Sequence, residues 1–301
     1  MKQRLLLTGA AGFVGGNIIR EAGAAWEIHG VDRVAVEGGP AHVSWHNVDL
    51  LDANAVRELF ATVRPSAVVH TAAMSDIDYC EANPETALRI NVGVTELLVD
   101  LCREFDSKIV YFSSDSVFDG ERGLYREDET PIPVNEYGRT KVQAEHVVMN
   151  RSPNWVIVRP SLVMGLPVGD IGNSFLWRMI GDLKKGEQVA FPESEIRSPV
   201  DVITLSRAVL ELAERTICGH FHLSGNDGMT RFEMARRICE KLGYPSNRVV
   251  DKKPAIATGR AKRPPNVTLA NVKAKLLLHT PMAGLDSGLN LIIEKKEDKE
   301  L

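Results

Sequence analysis

The stretch Thr8-Gly9-Ala10-Ala11-Gly12-Phe13-Val14-Gly15 decides the fold. It follows a short apolar run at 4–7 and precedes Asn17, Ile18, Ile19 and Ala22, which are spaced as one face of a helix. A strand, a glycine turn and a helix in that order open a βαβ unit. Gly9 permits the tight turn, Gly12 lets the backbone approach a pyrophosphate, and Gly15 lets the helix pack close to the sheet. The helix N-terminus then presents free N–H groups and a positive dipole end to that phosphate. Asp32 lies about twenty positions on, at the end of the next apolar run, where a carboxylate accepts from ribose hydroxyls. Asp32 repels a 2′-phosphate and so favours NAD. Arg33 beside it either binds that phosphate, which keeps NADP open, or stacks on adenine, or is a solvated strand-end charge.

Outward from this turn the pattern repeats. Apolar runs at 43–48, 67–70, 108–112 and 155–158 predict further strands. Between them, Asp52 caps a helix carrying Val56, Leu59, Phe60 and Val63. Pro84 opens a long helix through Leu101, and another helix spans 136–149. Such alternation implies an α/β fold, a Rossmann-type doubly wound parallel sheet covered on both faces. After Gly165 the pattern loosens. Helices are expected at 175–183 and 202–212, a strand at 220–223, and a capping box at Thr230 and Glu233. Residues 260–265 read as a basic, proline-containing loop, and 294–301 as a charged, frayed end. The expected division is a dinucleotide-binding domain at 1–165, rejoined by about 200–225. A smaller α/β substrate-binding domain comes from 166–199 and 226–301.

The bulk numbers agree with this plan. A chain of 301 residues with 44% hydrophobic content supports one large core with a smaller one attached. A net charge of −4 supplies no general field for nucleic acid or an anionic membrane, and neither is expected as a partner. No stretch approaches the roughly 20 apolar residues of a membrane helix, and no signal peptide is legible, so a cytoplasmic location is expected. Cys80, Cys102, Cys218 and Cys239 form no CxxC pair, and the histidines make no ligand cluster. A disulfide framework and a metal site are therefore not expected. Cys102 and Cys239 fall in apolar helical patterns and read as small core residues.

Two groups carry the chemistry. Tyr137 and Lys141 form YxxxK, and on a helix these positions share a face. A free tyrosine pKa of about 10 is high for acid–base work at neutral pH. A nearby ammonium and a positively charged cofactor ring are expected to lower it. Ser113-Ser114-Asp115 ends the fifth strand, where open parallel sheets place their ligands. A serine hydroxyl there can orient a carbonyl against Tyr137, or can simply cap a turn.

Taken together these motifs resemble the extended short-chain dehydrogenase/reductase family over nearly the whole chain. They are TGAAGFVG at 8–15, Asp32, NVDL at 47–50, HTAA at 70–73, NVGVT at 91–95, SSDSVFDG at 113–120 and YGRTK at 137–141. SSDSVFDG, the following LYREDETPIPVNEYGRTK and RPPNVTL at 263–269 are similar to the dTDP-4-dehydrorhamnose reductase group within that family. The resemblance implies Ser114 as catalytic hydroxyl, Tyr137 as proton donor, and Lys141 as its activator and ribose ligand. It implies cofactor contacts from Gly9, Gly12, Phe13, Val14, Gly15, Asp32, Arg33, Asp49, Leu50, Thr71, Ala72, Ala73, Asn91 and Pro160, with Tyr137 and Lys141. It places Ser75, Ile77, Asp115, Ser116 and Leu162 near the substrate. Ser116 stands where the group has tyrosine and Leu162 where it has tryptophan. The implied activity is NAD(P)H-dependent reduction of a 4-keto nucleotide sugar, by a homodimer.

Two other roles stay open. A nucleotide-sugar epimerase or dehydratase would keep its NAD bound throughout. The group also includes a regulatory subunit of methionine adenosyltransferase, so a noncatalytic dinucleotide-binding role competes. Arg260, Lys262 and Arg263 are either ligands for a substrate pyrophosphate or surface charges.

Overall fold

The computed structural model describes residues 2–23, 25–36, 40–168, 174–252 and 260–297. Seven strands form one sheet: β1 (Gln3–Thr8), β2 (Trp26–Asp32), β3 (Val43–Asn47), β4 (Ala67–His70), β5 (Lys108–Phe112), β6 (Trp155–Pro160) and β7 (Gly219–Leu223). Their spatial order is β7-β6-β5-β4-β1-β2-β3, and every pairing is parallel. Period-two alternation sends Leu5 and Leu7 of β1 to one face and Leu6 to the other.

On the first face Leu5 and Leu7 pack with Ile18 of α1 (Phe13–Ala22). On the second face Leu6 packs with Phe60 of α2 (Ala53–Val63), Leu98 of α3 (Val94–Glu104) and Ala144 of α4 (Glu136–Arg151). Val209 of α5 (Val202–Glu214) closes the first face. This is the doubly wound sheet expected. Asp52 caps α2 as read, accepting from the backbone N–H groups of Asn54 and Ala55, a contact worth about 1 kcal/mol.

The order reverses between β1 and β4, and a crevice opens outside the strand ends at such a switch point. Gly9 follows β1 and Thr71 follows β4, so both lie at its lip.

The long helix predicted from Pro84 forms: Pro84–Leu88, a widened π turn at Arg89–Gly93 and α3 follow one another without a break, after a separate short helix at Ile77–Ala82. The widened turn carries Asn91 inward, where its side chain donates to the Met74 carbonyl at 3.1 Å and accepts from the Met74 N–H at 2.8 Å.

Beyond Gly165 the chain builds a second apolar cluster from Phe175, Leu176, Met179, Met234, Ile238, Leu285 and Leu289. Its strands are two or three residues long, such as Ile196–Arg197 paired with Met229–Thr230. Strands this short leave no periodicity to read. Thr230 caps α6 (Arg231–Lys241), accepting from the Glu233 N–H at 3.0 Å. A helix at Leu285–Glu297 replaces the frayed end expected from 294; residues 298–301 lie outside the described part. Cys102 and Cys239 are buried, as read.

Candidate active site

Two adjoining cavities follow the crevice. The first, about 280 Å³, is lined by Asp32, Arg33, Asp49, Leu50, Val31 and Ile90, among others. The second, about 580 Å³, holds Gly12, Phe13, Val14 and Gly15 on one wall and Ser114, Tyr137 and Lys141 on another. Gly9, Ala72 and Ala73 line both cavities and join them. Thr71, Pro160, Ser75, Ile77, Asp115, Ser116 and Leu162 also face the second cavity. Asn91 is the exception among the expected residues. At 1% exposure it sits behind the wall, bracing Met74 and donating to the Thr140 hydroxyl at 3.0 Å.

The glycine turn is shaped for a dinucleotide. Gly9 has φ +67°, and a Cβ there would meet the Ala72 nitrogen at 2.9 Å. A Cβ on Gly15 would sit 2.2 Å from the Gly9 carbonyl oxygen and 2.8 Å from Ala10 Cα, both backbone atoms. Asp32 ties this turn to β2: one carboxylate oxygen accepts from the Ala11 N–H at 3.1 Å and the other from the Val34 N–H at 3.3 Å. Gly15→Ala must therefore push α1 off β1. The expected result is at least about tenfold weaker dinucleotide binding and about 1–3 kcal/mol lost stability. Calorimetric titration with NADH and NADPH checks it, and native affinity in the variant would contradict the close approach.

Tyr137 sits in the first turn of α4. Asn135 caps that turn, accepting from the Gly138 N–H at 2.9 Å and donating to the Lys262 carbonyl at 2.9 Å. Gly138 is needed because the Ser116 carbonyl packs against it: a Cβ would lie 2.3 Å from that oxygen. The phenol is 9% exposed and packs with Cys80, Ala87, Met74 and Ile77.

Burial raises its pKa above the ordinary value, with the neighbouring Ser114 hydroxyl opposing. The lowered pKa expected from the sequence supposes a positively charged cofactor ring beside the phenol, whereas burial acts in the opposite direction. Lys141 Nζ is 5.9 Å from the Tyr137 ring centroid, and donates instead to the Phe112 carbonyl at 2.8 Å. Desolvation is the largest influence on the phenol, and Tyr137 stands protonated at neutral pH, the state a proton donor needs.

Lys141 is itself buried, and burial lowers its pKa from 10.5 to about 8, with Glu145 opposing. Below pH 8 the native protein keeps this ammonium charged at a cost. Between pH 8 and 10.5 the unfolded chain binds more protons, so stability rises with pH through that window. Lys141→Met is accordingly expected to gain about 1–3 kcal/mol at pH 7 and to lose that pH dependence. Thermal unfolding across the window checks this; a variant less stable than native at pH 7 would contradict it.

The far wall comes from the later part of the chain and was missed by the sequence reading: Glu195, Arg197 and Arg231. The Arg197 guanidinium donates to the carbonyls of Ile196, Pro264 and Pro265 and to Glu195, so it chiefly holds the 264–265 loop. Arg263 also lines the cavity, but Asp78 grips it with two 2.9 Å bonds. Arg260 is exposed, and Lys262 contributes its carbonyl to Asn135. The only available sequence signal for Arg231 was the capping box that starts its helix.

Sheet, glycine turn and the Ser114–Tyr137–Lys141 grouping place the chain among the extended short-chain dehydrogenases/reductases, a class of NAD(P)-dependent oxidoreductases. The chain belongs to the family described as the RmlD substrate binding domain, whose model matches residues 3–297. It is 31% identical over 236 residues to the probable low-salt glycan biosynthesis reductase Agl14 of Haloferax volcanii, covering 77% of this chain and 78% of that protein. It is 30% identical over 275 residues to methionine adenosyltransferase 2 subunit beta of Bos taurus, covering 89% and 80%. Among solved structures, dTDP-4-dehydrorhamnose reductase from Bacillus anthracis in complex with NADP superposes with a TM-score of 0.88 at 26% identity, over 98% of this chain and all (100%) of that one.

Proposed function

We propose that the protein is an NAD(P)H-dependent reductase of a 4-keto nucleotide sugar, with dTDP-4-dehydrorhamnose the first substrate to test. One observation carries the reading. Ser114, Tyr137 and Lys141 converge on a cavity that shares Gly9, Ala72 and Ala73 with a dinucleotide-shaped groove. The likeness to the NADP-bound Bacillus reductase supports it.

In this reading residues 1–165 and about 200–225 hold the cofactor, while 166–199 and 226–301 shape the substrate side. The glycine turn takes the pyrophosphate, Asp32 and Arg33 the adenine ribose, and Asp49 and Leu50 the adenine. Bound reduced nicotinamide supplies a hydride. Ser114 orients the substrate oxygen, Tyr137 delivers the proton to it, and Lys141 holds the ribose side of the pocket. Ser75, Ile77, Asp115, Ser116 and Leu162 face the sugar. The small Ser116 and flexible Leu162 leave more room there than an aromatic pair would. Asp32 favours NADH over NADPH, by charge repulsion of a 2′-phosphate. Turnover of the keto sugar with each cofactor, followed by loss of reduced-nicotinamide absorbance, tests both points. Absence of turnover across several keto nucleotide sugars would refute the reductase.

The likeness to methionine adenosyltransferase 2 subunit beta favours a second reading, a dinucleotide-binding regulatory protein. That protein would bind NAD(H) or NADP(H) without consuming a keto sugar.

A further inference from the structure

We propose that Asp115 is a positioning residue for Ser114: whether its carboxyl carries a proton decides which way the Ser114 hydroxyl points, and so whether Ser114 can donate to a substrate carbonyl. The inference rests on the reductase reading above.

Asp115 opens the short 3-10 turn Asp115–Val117 just beyond β5, at 8% exposure, and lines the second cavity. Three hydroxyls surround its carboxyl. Ser114 and Ser116 donate to one oxygen at 3.3 and 3.4 Å, and Ser161 donates to the other at 3.3 Å. Ser114 Oγ also accepts from the Ser116 N–H at 3.1 Å.

A serine hydroxyl has a single proton, and an ionised carboxylate only accepts. With Asp115 ionised, the Ser114 proton faces the carboxylate. A substrate oxygen in the cavity would then meet a lone pair. A protonated Asp115 reverses the bond. Ser114 accepts from Asp115 and from the Ser116 N–H, both lone pairs are filled, and its own proton turns towards the cavity and Tyr137.

The surrounding groups are few and defined. Arg197 faces Asp115 from the strand Ile196–Arg197 and favours the carboxylate, while Tyr137 faces it from α4. Glu195, Arg231 and Arg263 surround Arg197 in turn. Burial outweighs Arg197 and the three hydroxyls and pushes the Asp115 carboxyl above the usual carboxylate range.

The test compares kcat against pH for the native protein and Asp115→Asn. The amide offers two donors to Ser114 and Ser116, and its oxygen accepts from Ser161, which fixes the donating arrangement. Native kcat should fall about tenfold per pH unit once Asp115 ionises. Asp115→Asn should be slower at the acid end, by about threefold, but should lack that limb, so the two profiles cross. A variant that keeps the native limb, or that turns over at no pH, overturns the proposal.

A second measurement does not need the substrate. Carbon-13 NMR of labelled aspartate carboxyls identifies Asp115 by the signal missing from Asp115→Asn. Ser114→Ala removes a donor to the carboxylate and should raise the Asp115 midpoint. An unmoved midpoint overturns the proposal even if native protein reduces no keto sugar, an outcome that by itself would refute only the reductase reading.

Discussion

Tyr137→Phe is expected to lower the rate of carbonyl reduction by about 10²–10⁴-fold, the usual contribution of a positioned general acid. The change removes one oxygen and keeps the ring. Its packing against Cys80, Ala87, Met74 and Ile77 should persist, as should the cap that Asn135 places on the helix. The loss should therefore appear in kcat, with dinucleotide binding still measurable. Burial keeps the native phenol protonated through neutral pH, as the proposed donor role requires. Single-turnover kinetics isolates the chemical step. A variant within about threefold of native would mean that the proton comes from another group.

Arg159→Met is expected to cost about 3–5 kcal/mol of stability, the largest effect predicted outside the cavity. Arg159 on β6 and Glu145 on α4 are 2% and 1% exposed and joined by bonds of 2.8 and 2.6 Å. Ser113 donates to the same carboxylate, and the guanidinium stacks 5.2 Å from the Phe118 ring centroid. Methionine fills much of the space but leaves a buried carboxylate without its cation. Pairing it with Glu145→Gln should recover much of the loss, because the uncompensated charge is then gone. Urea unfolding of the single and double variants checks both statements; a single-variant loss below about 1 kcal/mol would show that the pair is dispensable. Glu145 stands one turn beyond Lys141 on α4, so the same ion pair that stabilises the fold also anchors the helix carrying Tyr137 and Lys141 to the sheet.

What could be read from the sequence follows the physics of each element. Buried parallel strands are short apolar runs and their helices have one apolar face, so β1 to β6 and the helices between them were legible. The glycine turn was legible because close backbone approach admits little else at Gly9 and Gly15. The second part was harder. Strands of two residues, such as Ile196–Arg197, show no alternation, so Glu195 and Arg197 gave no sign of reaching the cavity. The resemblance placed Asn91 against the cofactor; the widened helical turn that carries it inward leaves no mark in the periodicity. The last helix does bury Leu285, Leu289 and Ile292 at helical spacing, but Gly288 and Asn290 between them weakened the signal. The direction of the Tyr137 pKa depended on burial against charge, a balance that only the packed structure fixes.

The central claim is that hydride reaches a substrate carbonyl in the cavity beside Tyr137. Its most direct test uses NADH and NADPH deuterated at the transferring position, with dTDP-4-dehydrorhamnose, the native protein and Tyr137→Phe. Deuterium on the former carbonyl carbon of the product, formed by the native protein and not detectably by the variant over the same time, is the expected result. Bound dinucleotide with no labelled product from any keto nucleotide sugar would contradict the claim and leave the regulatory reading in its place.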